Sequence, residues 1–101
     1  MKLHHIGIVV KNIQNSLGEL TQFLNFESTT IPSLVGSQKV NICFLKTNNV
    51  FLELIEPAQE NSPISDFVKT GGGFHHLCFE QQYQYDVISI NIIHLCRNFI
   101  H

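Results

Sequence analysis

Three side chains of this 101-residue chain have the types and the settings to hold a cation: His5, Glu53 and His76. Each lies in a short apolar run. His5 precedes Ile6, Gly7, Ile8 and Val9, Glu53 sits among Phe51, Leu52, Leu54 and Ile55, and His76 is followed by Leu77, Cys78 and Phe79. A carboxylate in such a run is expensive to bury unpaired, so Glu53 calls for a cation. Two imidazoles and one carboxylate suit a borderline or hard divalent ion such as Zn²⁺, Co²⁺, Mn²⁺ or Ni²⁺, and spacing does not choose among these. The plain alternative is a pair of packed or surface histidines, since short patterns of this kind have false positives.

The elements that would position these residues are strands. Leu3 to Val10 is short, continuous and β-branched, as a buried strand is. Alternation puts Ile6, Ile8 and Val10 on one face and His5, Gly7 and Val9 on the other. Val50 to Glu56 sends Leu52 and Leu54 to a core and Glu53 the opposite way, and Phe74 to Glu80 does the same with Leu77 and Phe79 against His76, Cys78 and Glu80. The three candidate ligands thus fall once per strand, on the face that does not pack on helices. The same alternation puts His4 and His75 on the helix side or its rim, as packing or supporting groups. His94 and His101 read as solvated.

Between the strands, Asn12 caps a helix carrying Ile13, Leu17, Leu20 and Leu24, with Asn25 as a left-handed stop. Phe26 to Ile31 reads as a strand, Pro32 to Ser37 as a loop, and Lys39 to Lys46 as a strand joined to the next through Asn48-Asn49. Ser62-Pro63 starts a short helix with Ile64, Phe67 and Val68, and Gly71 to Gly73 stop it. The glycines could also let backbone approach the site, but a C-terminal stop is the first expectation. The tail from residue 81 reads as helix.

His4-His5-Ile6-Gly7 and His75-His76-Leu77-Cys78 are similar openings, which points to two copies of one module. The first runs over 1–57, a linker with a short helix over 58–73, and a second copy starts at 74. Only about 28 residues remain for that copy, so it is expected to be cut short, or to be completed by pairing with another chain.

Composition narrows the partners. With 44% hydrophobic and 14% charged residues, one modest core is expected. The formal charge of -2, with Lys2, Lys11, Lys39, Lys46, Lys69 and Arg97 scattered, argues against nucleic acid. No apolar run approaches the ~18 residues of a membrane span, and a cytoplasmic setting is the expectation. Cys43, Cys78 and Cys96 form neither a disulfide framework nor a zinc cluster and read as small apolar fillers.

Four stretches, taken in order, resemble the vicinal oxygen chelate (glyoxalase, bleomycin resistance and dioxygenase) superfamily, and most of all its methylmalonyl-CoA epimerase branch. They are His-His-Ile-Gly-Ile-Val-Val-Lys-Asn-Ile at 4–13, Phe-Leu-Glu-Leu-Ile-Glu-Pro at 51–57, Ser-Pro-Ile-Ser-Asp-Phe at 62–67 and Gly-Gly-Gly-Phe-His-His-Leu-Cys-Phe-Glu at 71–80. The resemblance implies an α+β fold of glyoxalase type, a βαβββ module with an incomplete second one, and a metal on His5, Glu53 and His76. It also implies an isomerase or lyase that removes a proton from a small acyl thioester or carbonyl compound, with the metal stabilising the enolate. Two departures matter: a fourth ligand, a glutamate on the last strand of the second module, has no counterpart, and Asn41 aligns where epimerases place an acid/base group. Asn41 cannot exchange protons near neutral pH. The competing expectation is therefore a non-catalytic binding module of the same superfamily. A homodimer is expected in either case.

Overall fold

The structure is a computed structural model and describes residues 2–81, 84–88 and 93–95. Its elements are β1 (Lys2–Val9), α1 (Ile13–Leu20), β2 (Ser28–Thr29), β3 (Ser33–Val35), β4 (Val40–Lys46), β5 (Phe51–Pro57), α2 (Ser65–Lys69), β6 (Gly73–Gln81), β7 (Gln84–Ile88) and β8 (Ile93–Leu95). The strands form one sheet in the order β2-β4-β5-β1-β6-β7-β8, with β3 also paired to β4. β1 runs parallel to β5 and antiparallel to β6. The first strand of the chain therefore lies between the strands that carry Glu53 and His76. This is the α+β arrangement expected of a glyoxalase-type module.

Two cores form on the two faces. On one, Ile13 of α1 packs with Cys43, Leu45 and Leu54, and Ile8, Val10, Leu17, Leu20, Phe26 and Leu52 surround them. On the other, Val9, Val40, Ile42 and Ile55 pack beneath Ile64, Phe67 and Val68 of the α2 segment. The second face is thus not clear of helices, as alternation alone suggested: α2 and its leading loop lie on it. We call it the site face.

α1 begins where expected, with the Asn12 side chain accepting a hydrogen bond from the Asn15 amide at 2.9 Å. Its first free amide, on Ile13, donates to Glu56 Oε2 at 2.9 Å, a carboxylate well placed for the positive end of the helix. The helix ends at Leu20, before Leu24, and Asn25 is not left-handed; Gln22 and Phe23 close with tighter bonds to Glu19 and Leu20. The strand expected over 26–31 is confined to Ser28–Thr29, while Ser33–Val35, expected as loop, pairs with β4. The tail expected as helix instead supplies β7 and β8, each antiparallel to the strand before it. The mixed Val/Ile pattern there suited neither period, and partner strands decided it.

The glycine run ends α2 as expected: the Gly71 amide donates to Val68 and the Gly72 amide to Phe67, at 2.9 and 3.0 Å, with Gly71 at φ 110°. Gly72 has a second constraint. At φ +68°, a Cβ there would lie 2.6 Å from the Val9 carbonyl oxygen, so the chain leaving α2 runs against β1 at a distance only glycine allows.

Candidate metal centre

His5, Glu53 and His76 come together from three adjacent strands. Glu53 Oε1 lies 3.3 Å from His5 Nε2 and 3.3 Å from His76 Nε2, and the two ring nitrogens are 3.2 Å apart. All three residues are fully buried. The site face is covered here, not open to solvent. Neither Glu53 oxygen has a well-aligned hydrogen-bond donor among the described residues. Burial pushes the Glu53 carboxyl up, but the His5 and His76 rings outweigh it and hold it below its ordinary 4.5. A buried, under-satisfied carboxylate facing two imidazole nitrogens fits a divalent cation by its donor chemistry, and ligand atoms within 4.8 Å of one another can close on one ion.

The sheet builds this geometry through two irregularities. Leu3 pairs with Phe79 and His5 with Cys78, so β1 takes two steps for one of β6, with His4 as the extra residue. Gly7 pairs with His76 and Ile8 with Phe74, so β6 takes the extra step, at His75. A β-bulge re-aims the side chain at the inserted position. His4 and His75 accordingly turn away from the helix side where strict alternation put them. His4 Nδ1 meets His5 Nδ1 at 2.8 Å, and His75 Nδ1 meets His76 Nδ1 at 2.7 Å. The His4 ring also tilts against Phe51, and the His75 ring meets Phe67 of α2 edge-on.

Two further residues shape the centre and had no assigned part in the sequence reading. Gly7 faces the His76 ring so closely that a Cβ would fall 2.1 Å from Cε1 and 2.6 Å from Nε2. Its lack of a side chain makes the space the imidazole occupies, a requirement that cross-strand register would have revealed. Phe44 of β4 lies edge-on to His5, 5.6 Å between ring centres, and walls that side of the site. Cys78, read as a filler, is buried, and together with His4 and His5 it forms a second group whose ligand atoms lie within 4.8 Å of one another.

A pocket of about 280 Å³ reaches Glu53 from the site face. Val40, Ile42, Ile55, Pro63 and Ile64 make its walls, and Gln38 and His75 add polar groups. Asn41 is not among them. It lies on the helix side, where its amide donates to Glu56 Oε1 at 3.3 Å, and β4 turns Val40, Ile42 and Phe44 to the site face instead. At the site β4 therefore places hydrocarbon side chains, with Phe44 paired directly across from Glu53. His94 is placed in β8, where it pairs with Val87, and His101 and Cys96 lie outside the described residues. No described helix is long and apolar enough to cross a membrane.

The chain is 41% identical over 86 residues to an uncharacterized Bacillus subtilis protein, YqjC, a match covering 77% of this chain and 56% of that one. It is 30% identical over 81 residues to the ethylmalonyl-CoA/methylmalonyl-CoA epimerase of Cereibacter sphaeroides, covering 78% of this chain and 60% of the relative. Among solved structures, a Streptomyces coelicolor methylmalonyl-CoA epimerase in complex with 2-nitronate-propionyl-CoA superposes with a TM-score of 0.67 at 26% identity, over 76% of this chain and 58% of that one. The chain thus spans about half the length of the curated relatives it matches. A family model, the Glyoxalase/Bleomycin resistance protein/Dioxygenase superfamily, matches residues 4–87, and the chain belongs to that superfamily.

Proposed function

We propose that this chain carries a divalent-metal centre on His5, Glu53 and His76 and acts on a small acyl thioester or an α-hydroxy or oxo carbonyl compound, as an isomerase or lyase of the epimerase kind. The observation that carries this reading is the convergence of two imidazole nitrogens and one carboxylate oxygen beside an apolar pocket. A divalent ion held there supplies Lewis-acid stabilisation, worth several kcal/mol, to the negative charge that develops when a proton leaves the carbon next to a carbonyl. The aliphatic walls seat the hydrocarbon part of the substrate and exclude water. The native metal is Zn²⁺, Co²⁺, Mn²⁺ or Ni²⁺. We further propose a homodimer of 1–57 modules, with the strands after residue 74 as the start of a second module, because an open sheet edge invites a second copy.

One observation favours a second reading. β4 presents the hydrocarbon side chains of Val40, Ile42 and Phe44 to the site face, which suits a module that binds its ligand without turning it over. Both readings are tested together. Purified protein is assayed for metal by elemental mass spectrometry and titrated with Co²⁺. α-Proton exchange of methylmalonyl-CoA in D₂O is then followed by NMR. Uptake of about one ion per chain with metal-dependent exchange supports the enzyme, and uptake without exchange supports the binder. Failure to take up any ion sinks the enzyme and leaves the non-catalytic binding module as the better reading. His5→Ala and His76→Ala should weaken uptake markedly and His94→Ala should not; equal effects from all three would overturn the ligand assignment.

A further inference from the structure

We propose that His4 and His75 are reversible hydrogen-bond partners that let His5 and His76 change tautomer as a metal enters and leaves. This rests on reading His5, Glu53 and His76 as the ligands. Without an ion, the groups facing His5 Nε2 and His76 Nε2 are the Glu53 carboxylate at 3.3 Å and each other at 3.2 Å. A carboxylate only accepts, so the favoured metal-free state puts a hydrogen on both Nε2 atoms. Each neutral ring then has a bare Nδ1, buried and in need of a donor. His4 Nδ1–H and His75 Nδ1–H supply it, at 2.8 and 2.7 Å.

An ion reverses the requirement. Ligation through Nε2 demands lone pairs there, so the ring hydrogen of His5 and of His76 must move to Nδ1 and be accepted. The partner that had donated can accept, provided its own hydrogen sits on its Nε2. Each of the four rings holds one hydrogen before and after. The usual partners of a metal-bound histidine, a carbonyl or carboxylate, accept only. A lysine or arginine would donate only. An imidazole does both, which is a physical reason for a second imidazole at each bulge. The same Nδ1 to Nδ1 contact occurs twice, on two strands, each at a one-residue insertion in the β1–β6 ladder.

The test is a two-bond ¹H–¹⁵N correlation spectrum of histidine-labelled full chain at about pH 8, where imidazoles are ordinarily neutral, metal-free and with Zn²⁺. The expected result is Nε2–H on His5 and His76 with Nδ1–H on His4 and His75 before Zn²⁺, and the reverse for His4 and His75 after it, with His5 and His76 then protonated at Nδ1. Zn²⁺ uptake with His4 and His75 unchanged overturns the inference and leaves the ligand reading standing; absence of uptake overturns the ligand reading, and the inference with it. Among variants, His4→Phe should lower Zn²⁺ affinity roughly 10- to 100-fold. His4→Asn, whose amide both donates and accepts, should recover most of the loss. Equal affinities for both variants would count against the inference.

Discussion

Gly7 lies beneath the His76 ring with no room for a single added carbon, and this makes it as necessary to the centre as a ligand. Gly7→Ala is expected to displace the imidazole and abolish Co²⁺ uptake while far-UV circular dichroism stays close to the parent; retained uptake would show that the ring can sit elsewhere. The titrating groups make a second prediction. His4 is held below its ordinary 6.5, first by burial and then by the neighbouring His5, so folding favours its neutral form. Its contribution is complete above about pH 6.5 and is lost as pH falls through its lowered value. Glu53, held below 4.5, contributes above that pH and loses its contribution as pH drops through its own lowered value. The Tm of metal-free protein should thus decline in two stages on acidification, and His4→Gln should remove the upper one. At this scale the sequence was readable where the strands are regular: His5, Glu53 and His76 share a face as alternation implies. His4 and His75 were not, because an inserted residue shifts the pleat and nothing in a His-His pair marks the insertion. Asn41, aligned with an acid/base position by resemblance, lies on the helix side, because neighbouring residues of a strand point to opposite faces.

At the scale of elements, α2 and the glycines behind it hold the roof of the pocket to the sheet. Gly72 combines a left-handed backbone with the Val9 carbonyl at the place a Cβ would occupy. Gly72→Ala should destabilise the fold by about 1–3 kcal/mol in urea titration. An effect within the error of the measurement would mean that the α2 segment can lift away from β1. α1 should be more forgiving: Asn12→Ala removes one cap at about 1 kcal/mol. The helices were legible because caps and stops are local chemistry. The placing of α2 on the site face was not, since five residues with two apolar side chains, Phe67 and Val68, do not say which face of a sheet they will cover. The tail was misread for a related reason: Gln84–Ile88 becomes a strand through pairing with β6, a partner that its own pattern does not name.

Over the whole molecule, an ion on three strands would bind the folded chain and not the unfolded one. At about 100 times its dissociation constant it should add roughly 2.7 kcal/mol of stability, a Tm rise on the order of 10 °C for a domain of this size. Differential scanning fluorimetry with and without chelator reads this directly, and an unchanged Tm would contradict a site formed only on folding. Light scattering on the same samples gives the mass and tests the homodimer. The central position of β1 has one more consequence, in time and not in energy. It leaves the ribosome before either of its neighbours, β5 at Phe51–Pro57 and β6 at Gly73–Gln81, so its backbone waits for both before it can pair. Folding dominated by such distant contacts belongs to the millisecond-to-second range. During synthesis the apolar run from Leu3 to Val10 stays exposed for seconds, at about 5–20 residues made per second, which makes it a segment for a chaperone to cover.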